Sequence, residues 1–280
     1  MNGVDPERQP ADMVAVANMR ETLSAVIWDN TTGSIVHACT GIVHQENVGW
    51  LSKLLATAAI LQNTAAHSAA HALADVVGGS PAASNHPQHG ERPDADEMLS
   101  VPEQVIADAG QRGSGFAGDL CAGLDALLHQ YQLLGFSDAE GLTCEVPFTG
   151  FVPVAARVGL ALPNGRPETS LLQIFADVEH PEFGHGALVT LRPAETYEPD
   201  QVPAVANQLN LAELNGNARS NLVGAWCPDP TNSKRNTVAF NAFLPSILAE
   251  PAVLENQVIF QAVRSRSYGA TGGAFLSAEG

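Results

Sequence analysis

The chain has 280 residues and a mass of 29.3 kDa, with 45% apolar and 15% charged side chains, enough to bury one large core or two modest ones. Thirty acidic against thirteen basic side chains leave a formal charge of −17 at pH 7, a field that repels polyanions and excludes nucleic acid and anionic membrane surfaces as ligands. No apolar run reaches the roughly 18–20 residues that span a bilayer, because Lys53, Gln62 and Asn63 interrupt the longest hydrophobic stretch.

The opening segment MNGVDPERQPADM carries acidic residues and prolines where a secretory signal would carry a basic patch and an apolar core, so a cytoplasmic, unexported protein is expected. A short helix beginning at AVAN (Ala15 to Asn18) leads to a strand bearing Trp28, a second strand, and a long helix over 44–77. On that helix His67 and His71 stand four apart, a spacing at which two imidazoles can share a metal ion. A helical wheel puts them on a polar arc with Glu46, Ser52, Lys53, Asn63, Thr64, Ser68 and Asp75, opposite Leu51, Leu55, Ala58, Ala69, Leu73 and Val76. A zinc hydrolase of the His-Glu-x-x-His type needs a carboxylate beside its first ligand, and that position is Ser68. Asp75, or His86 and His89 further on, are the remaining candidate ligands, and a solvated or partner-facing helix is the preferred reading. Accordingly no catalytic, metal or cofactor residue is assigned.

Gly78 to Met98 is rich in Gly, Pro, Ser, His and charge and lacks periodicity, and GQRGSGFAG follows a short helix around Pro102 to Asp108. These features predict a first module over 1–77, a flexible linker over 78–115 and a second module over 116–280. Gly113, Gly115 and Gly118 match Gly-x-Gly-x-x-Gly, but no strand is expected before them and no alternating strand and helix units after, so they read as a hinge and not a dinucleotide site.

Asp119 to Leu134 has helical periodicity. LTCEVPF, AARVGLAL, Ser170 to Val178 and Gly186 to Leu191 read as strands joined by tight turns, one of them at Asn164-Gly165. Gln201 to Leu214 is a second helix, LVGAWC and TVAFNAF are two further strands, and a final helix runs from Leu244 to Arg266 with a kink expected at Pro251. His180, Glu182 and His185 lie close enough in sequence to form an acid–base or metal cluster, yet Pro181 and the neighbouring glycines mark a turn. Cys39, Cys121, Cys144 and Cys227 are widely spaced and read as reduced, buried thiols.

AVAN recurs at Ala204 to Asn207, again ahead of a Trp-bearing strand (Trp226), another strand and a long helix, which points to an internal duplication whose first copy lacks the opening helix and strands. With the residues CEVPFTG, ADVEHPEFGHGALVTL, LVGAWC and FNAFLPSIL, and with GWLSKLLATAAILQNTAAH and HPQHGERPDADEML in the first half, the chain resembles the type III secretion chaperone-like (YbjN-type) fold, especially its tandem actinobacterial versions. The resemblance implies an α+β fold of antiparallel sheets with flanking helices, in tandem modules of which the first is incomplete. It also implies non-catalytic protein binding, usually as dimers. The expected function is therefore binding of another protein, with no cofactor, nucleic acid or membrane partner. The alternatives are a metal-dependent enzyme using His67 and His71 with His86 and His89, or a regulatory ligand sensor. A two-stranded first module exposes Leu51, Leu55 and Leu73 unless the second module or a second chain in a homodimer covers them.

Overall fold

The structure is a computed structural model and describes residues 1–82, 115–131, 133–138, 140–147, 169–216, 221–248 and 251–271. The expected linker core, the short helix near residue 105, the AARVGLAL strand and the Asn164-Gly165 turn lie outside the described residues.

The fold is α+β, with antiparallel sheets and flanking helices. Helix α1 (Pro10–Asn18) precedes a hairpin of β1 (Ala25–Asp29) and β2 (Ser34–Ala38), and α2 (Val48–Val77) follows. Next come α3 (Gly115–Tyr131), the strands β3 (Leu134–Asp138), β4 (Gly141–Pro147), β5 (Thr169–His180) and β6 (Gly184–Pro193), helix α4 (Val202–Leu214), strands β7 (Ala225–Pro228) and β8 (Val238–Pro245), and α5 (Pro251–Thr271). The last six strands form one sheet in the order β3-β4-β5-β6-β8-β7.

Several boundaries differ from the sequence reading. AVAN closes α1, because its Asn18 is the last helical residue. Leu134 belongs to a strand: the apolar spacing of α3 runs on to it, but the turn at Asp138, whose Oδ1 accepts from the amides of Glu140 and Gly141, folds β3 back on β4. Pro251 opens α5 instead of kinking it, since the N–H that proline lacks is unpaired in a first helical turn anyway.

Apolar residues of α2 at positions 51, 54, 58 and 61 are buried in one core with Leu23 and Ile27, with Leu172, Val189 and Phe240 of the large sheet, and with Leu254 and Val258 of α5. Trp50 meets Phe260 of α5 at 5.5 Å between ring centroids. The first segment is thus covered by the rest of its own chain, the intramolecular solution to its exposed leucines. That cover ends at Leu61: Ala69 and Val76, expected on the apolar arc, are exposed, while Leu55 and Leu73 are partly buried. The far end of α2 is held by the N-terminal segment, where Asp5 N–H donates to Val77 O and Arg8 Nη1 reaches the carbonyls of Asp75 and Val76 at 3.1 and 3.3 Å.

Strand edges are closed by side-chain amides. Asn18 donates to Val26 O and accepts from Val26 N–H at 2.8 and 2.7 Å, and Asn207 of α4 does the same at Trp28 at 2.9 and 2.8 Å. Both bonds fall on the outer side of β1, two residues apart, so the two AVAN asparagines grip one strand. Asn210 treats Trp226 of β7 alike, at 2.9 and 2.8 Å. On β2, Met1 pairs with Ile35 and Gln62 Nε2 donates to His37 O. Past the end of β7, Thr22 O takes the Phe243 N–H of β8. Helices α1 and α4 each pack on both β1 and β7.

Beneath this layer, Glu213 of α4 and Arg264 of α5 form a buried two-point ion pair, with Nε–Oε1 2.8 Å and Nη2–Oε2 2.9 Å. Trp226 Nε1 also donates to Glu213, Arg264 reaches Asn221 O and Gln261, and its guanidinium lies 3.5 Å from the Phe240 ring centroid, so every charge in the site is met.

Replacing Asn207 by Ala strands a buried N–H and C=O of Trp28, and each buried unpaired group costs about 1–3 kcal/mol. Urea titration should show Asn207→Ala destabilised by roughly 2–4 kcal/mol. A loss under about 0.5 kcal/mol would mean that water or a shifted helix replaces the amide.

Candidate functional site

His67 and His71 both stand on α2. Among the described residues no group of three or more His, Cys, Asp or Glu side chains gathers to hold a metal ion. His86 and His89 lie outside those residues. Of the glycine fingerprint, Gly115 and Gly118 fall within the first turn of α3, and what precedes them is outside the described residues. His180 ends β5 and His185 sits in β6, on either side of a turn at 181–183. They are not brought to one point: His185 Nδ1 pairs with Asp177 at 2.8 Å, whereas His180 stacks between Phe183 and Phe243. Among the described residues Cys39, Cys144 and Cys227 are free thiols, each pushed up to about 12 by burial, which makes them inert side chains and not nucleophiles.

An open cleft of about 680 Å³ is lined by Glu195, Tyr197, Glu198, Gln201, Lys234 and Asn236. Tyr197 donates to Glu195 at 3.1 Å and shares a hydrogen bond with Tyr268, which stacks on Trp226. Burial pushes Tyr197 up to about 12 and raises Tyr268 further, so both phenols stay protonated and neither is a base at neutral pH.

The large sheet presents a different kind of site. One face, carrying Leu142, Cys144, Leu172, Ile174, Val189, Leu191 and Phe240, is buried under the helices; Ser265 of α5, for example, reaches Val146 O and Ser170. Register puts Leu134, Glu145 and Leu171 in one row across the other face, and Phe136, Thr143 and Gln173 in the next. There the apolar side chains are open: Leu134 is 47%, Phe136 60% and Leu171 37% exposed. Polar contacts fix their neighbours, since Gln173 Nε2 donates to Thr143 Oγ1, and Arg192, opposite Leu171, is engaged by Gln173 and by Asp229 at 3.0 Å.

Antiparallel alternation carries the backbone pattern across the sheet. Because Trp226 turns its N–H and C=O out to Asn210, the pairing sequence through Phe240, Leu191, Leu172 and Cys144 leaves Gly135, and with it Ser137, pointing away from β4. Among the described residues no hydrogen bond from beyond the sheet reaches the backbone N–H or C=O of those two positions, and the Ser137 hydroxyl donates to Asp125 of α3. Gly135 is required by closeness: a Cβ there would meet Thr143 O at 2.2 Å and Cys144 Cβ at 2.6 Å. Sequence reading missed this strand. The signal was present in Leu134 and Phe136 alternating before the Asp138-to-Gly141 turn, and the helical spacing of α3 masked it.

Electrostatics elsewhere gather at the turn after α1. Glu21 bonds Ser24 at 3.1 Å, and burial, with a smaller contribution from the Glu182 carboxylate, raises it to about 7. His180 Nε2 lies 3.2 Å from Arg20 O. Comparison with protein-family models, with curated proteins and with solved structures finds no match to this chain.

A carboxyl whose folded pKa is raised holds its proton more tightly folded than unfolded, so its stabilisation is complete below the unfolded value near 4.5 and is lost as pH climbs through about 7. Unfolding free energy should therefore fall between pH 4.5 and pH 7 by an amount on the order of 2–3 kcal/mol attributable to Glu21, and Glu21→Gln should remove that part of the slope. An unchanged slope in the variant would show that Glu21 is solvated.

Proposed function

We propose that the protein acts in the cytoplasm as a non-enzymatic binder of another protein, built as two chaperone-like modules of which the first is abbreviated. The observation that carries this reading is the β3 edge, which combines outward-facing backbone at Gly135 and Ser137 with exposed Leu134, Phe136 and Leu171 beside it. An edge of this kind is a template for an added strand, supplying backbone hydrogen bonds for affinity and apolar contacts for selectivity. The contrast with β1, β2 and β7 strengthens it, since those edges are closed by asparagines, a glutamine and the first residue. The tandem reading is supported by the shared grip of Asn18 and Asn207 on β1 and by the packing of α1 and α4 on both β1 and β7. In that arrangement the second chain of a module dimer is replaced by the second half of the same chain.

Phe136→Lys tests the surface with little structural penalty, because the ring is largely exposed. Affinity capture from the native host should recover a partner with the wild-type protein and lose it, at least tenfold, with Phe136→Lys, while urea stability shifts by less than about 0.5 kcal/mol. Equal recovery by both proteins would rule out β3 as the binding surface.

A further inference from the structure

The chemistry around β3 narrows the partner. Between residues 113 and 156 the sequence contains no Lys or Arg, whereas Asp119, Asp125, Asp138, Glu140 and Glu145 all fall there. Three of these are set beside the edge by the fold. Glu145 pairs across from Leu134, between it and Leu171, on the open face. Asp138 ends β3 and shapes the turn. Asp125 of α3 accepts a hydrogen bond from Ser137 Oγ at 3.0 Å, which holds a carboxylate next to one of the outward backbone positions. Arg192, the cation across from Leu171, is engaged by Asp229 and Gln173.

A strand added here meets apolar side chains at Leu134 and Phe136 on the open face, where Glu145 and Asp138 also lie, and Asp125 on the opposite, α3 face. Another copy of this chain is a poor occupant: each carries a net charge of −17, and two β3 edges brought together would set Asp125, Asp138 and Glu145 against their own equivalents. Resting on the strand-edge reading above, we infer that the partner of β3 is an extended segment in which apolar residues alternate with Lys or Arg, the apolar residues lying beside Leu134 and Phe136 on the open face and the cations falling on the α3 face toward Asp125, with Glu145 and Asp138 adding to the negative field. Exposed carboxylates of this kind add attraction and speed of encounter at low salt, and screening weakens both.

Selection of random peptides of about a dozen residues against the full-length protein, run in parallel on the wild type and on Ser137→Pro, tests the inference. Proline removes one outward N–H and is tolerated in an edge strand. The wild type should enrich peptides with Lys or Arg alternating with apolar residues. A synthetic peptide from that pool should bind at least tenfold more tightly than its Lys-to-Gln counterpart, lose most of that advantage at high salt, and fail to bind Ser137→Pro, whose circular dichroism confirms the fold. Enriched peptides without a basic bias that still depend on Ser137 would overturn the partner chemistry and leave the edge reading standing. Peptides that bind wild type and Ser137→Pro equally, or no enrichment at all, would overturn both. Should Ser137→Pro fail to fold, Phe136→Lys takes its place, with the same outcomes counting for and against.

Discussion

Asn207 reaches from α4 to both backbone groups of Trp28, a residue 179 positions earlier, and the rest of the architecture is arranged around that bond and its two companions at Val26 and Trp226. A strand at the free edge of a two-stranded sheet such as β1–β2 is unstable alone, because its outer N–H and C=O groups must either face water or find a partner. The amide side chain of asparagine presents an N–H donor beside a carbonyl acceptor, as a neighbouring strand would, so a helix bearing it can lie against a strand edge and satisfy it. With that problem solved, α1 and α4 pack between the small hairpin and β7. The side chains of β1 are then free to be buried on both faces, Ala25 and Ile27 in the large core, Val26 and Trp28 in a smaller one with Val4, Val14, Ile35 and Val77. This explains how two strands and a helix, too few for an independent core, form part of a stable protein.

The same bookkeeping of edges gives the functional argument its direction. Where an edge is closed from within the chain there is nothing for a partner to add; where it is open and flanked by exposed Leu and Phe, folding alone does not account for the surface. At the cleft beside Tyr197 the phenols of Tyr197 and Tyr268 stay protonated, and burial holds the thiols of Cys39 and Cys227 protonated too. The buried Glu213–Arg264 pair, for all its charge, is fully engaged by Trp226, Asn221, Gln261 and Phe240, so it orients α4 against α5 and offers no free group.

Much of this was legible in the sequence. Periodicity locates α2, α3, α4 and the strands β5, β6 and β8 to within a few residues, because each has a continuous apolar pattern. The turn reading of His180 to His185 agrees with the hairpin, and the AVAN repeat marks two helices that do share a task. What the repeat could not convey is that both asparagines act on the same strand, since that depends on a contact spanning 179 residues. The β3 strand was hidden because Leu134 fits the helical spacing of α3 and the strand is only five residues long. Exposure of Ala69 and Val76 was likewise invisible: a wheel shows which residues share a face of α2 but not that the cover of the large core stops at Leu61 and only Leu73 and Val77 meet the smaller core beyond it.

Amide hydrogen exchange tests the central claim most directly, because it reads each strand edge residue by residue. The account predicts slow exchange at Val26, Trp28 and Trp226, whose outward N–H groups are held by asparagine side chains, and exchange faster by orders of magnitude at Gly135 and Ser137 on β3 in the unbound protein. Protection at Gly135 and Ser137 as strong as at Trp28 would mean that the β3 edge is already closed, and would contradict it.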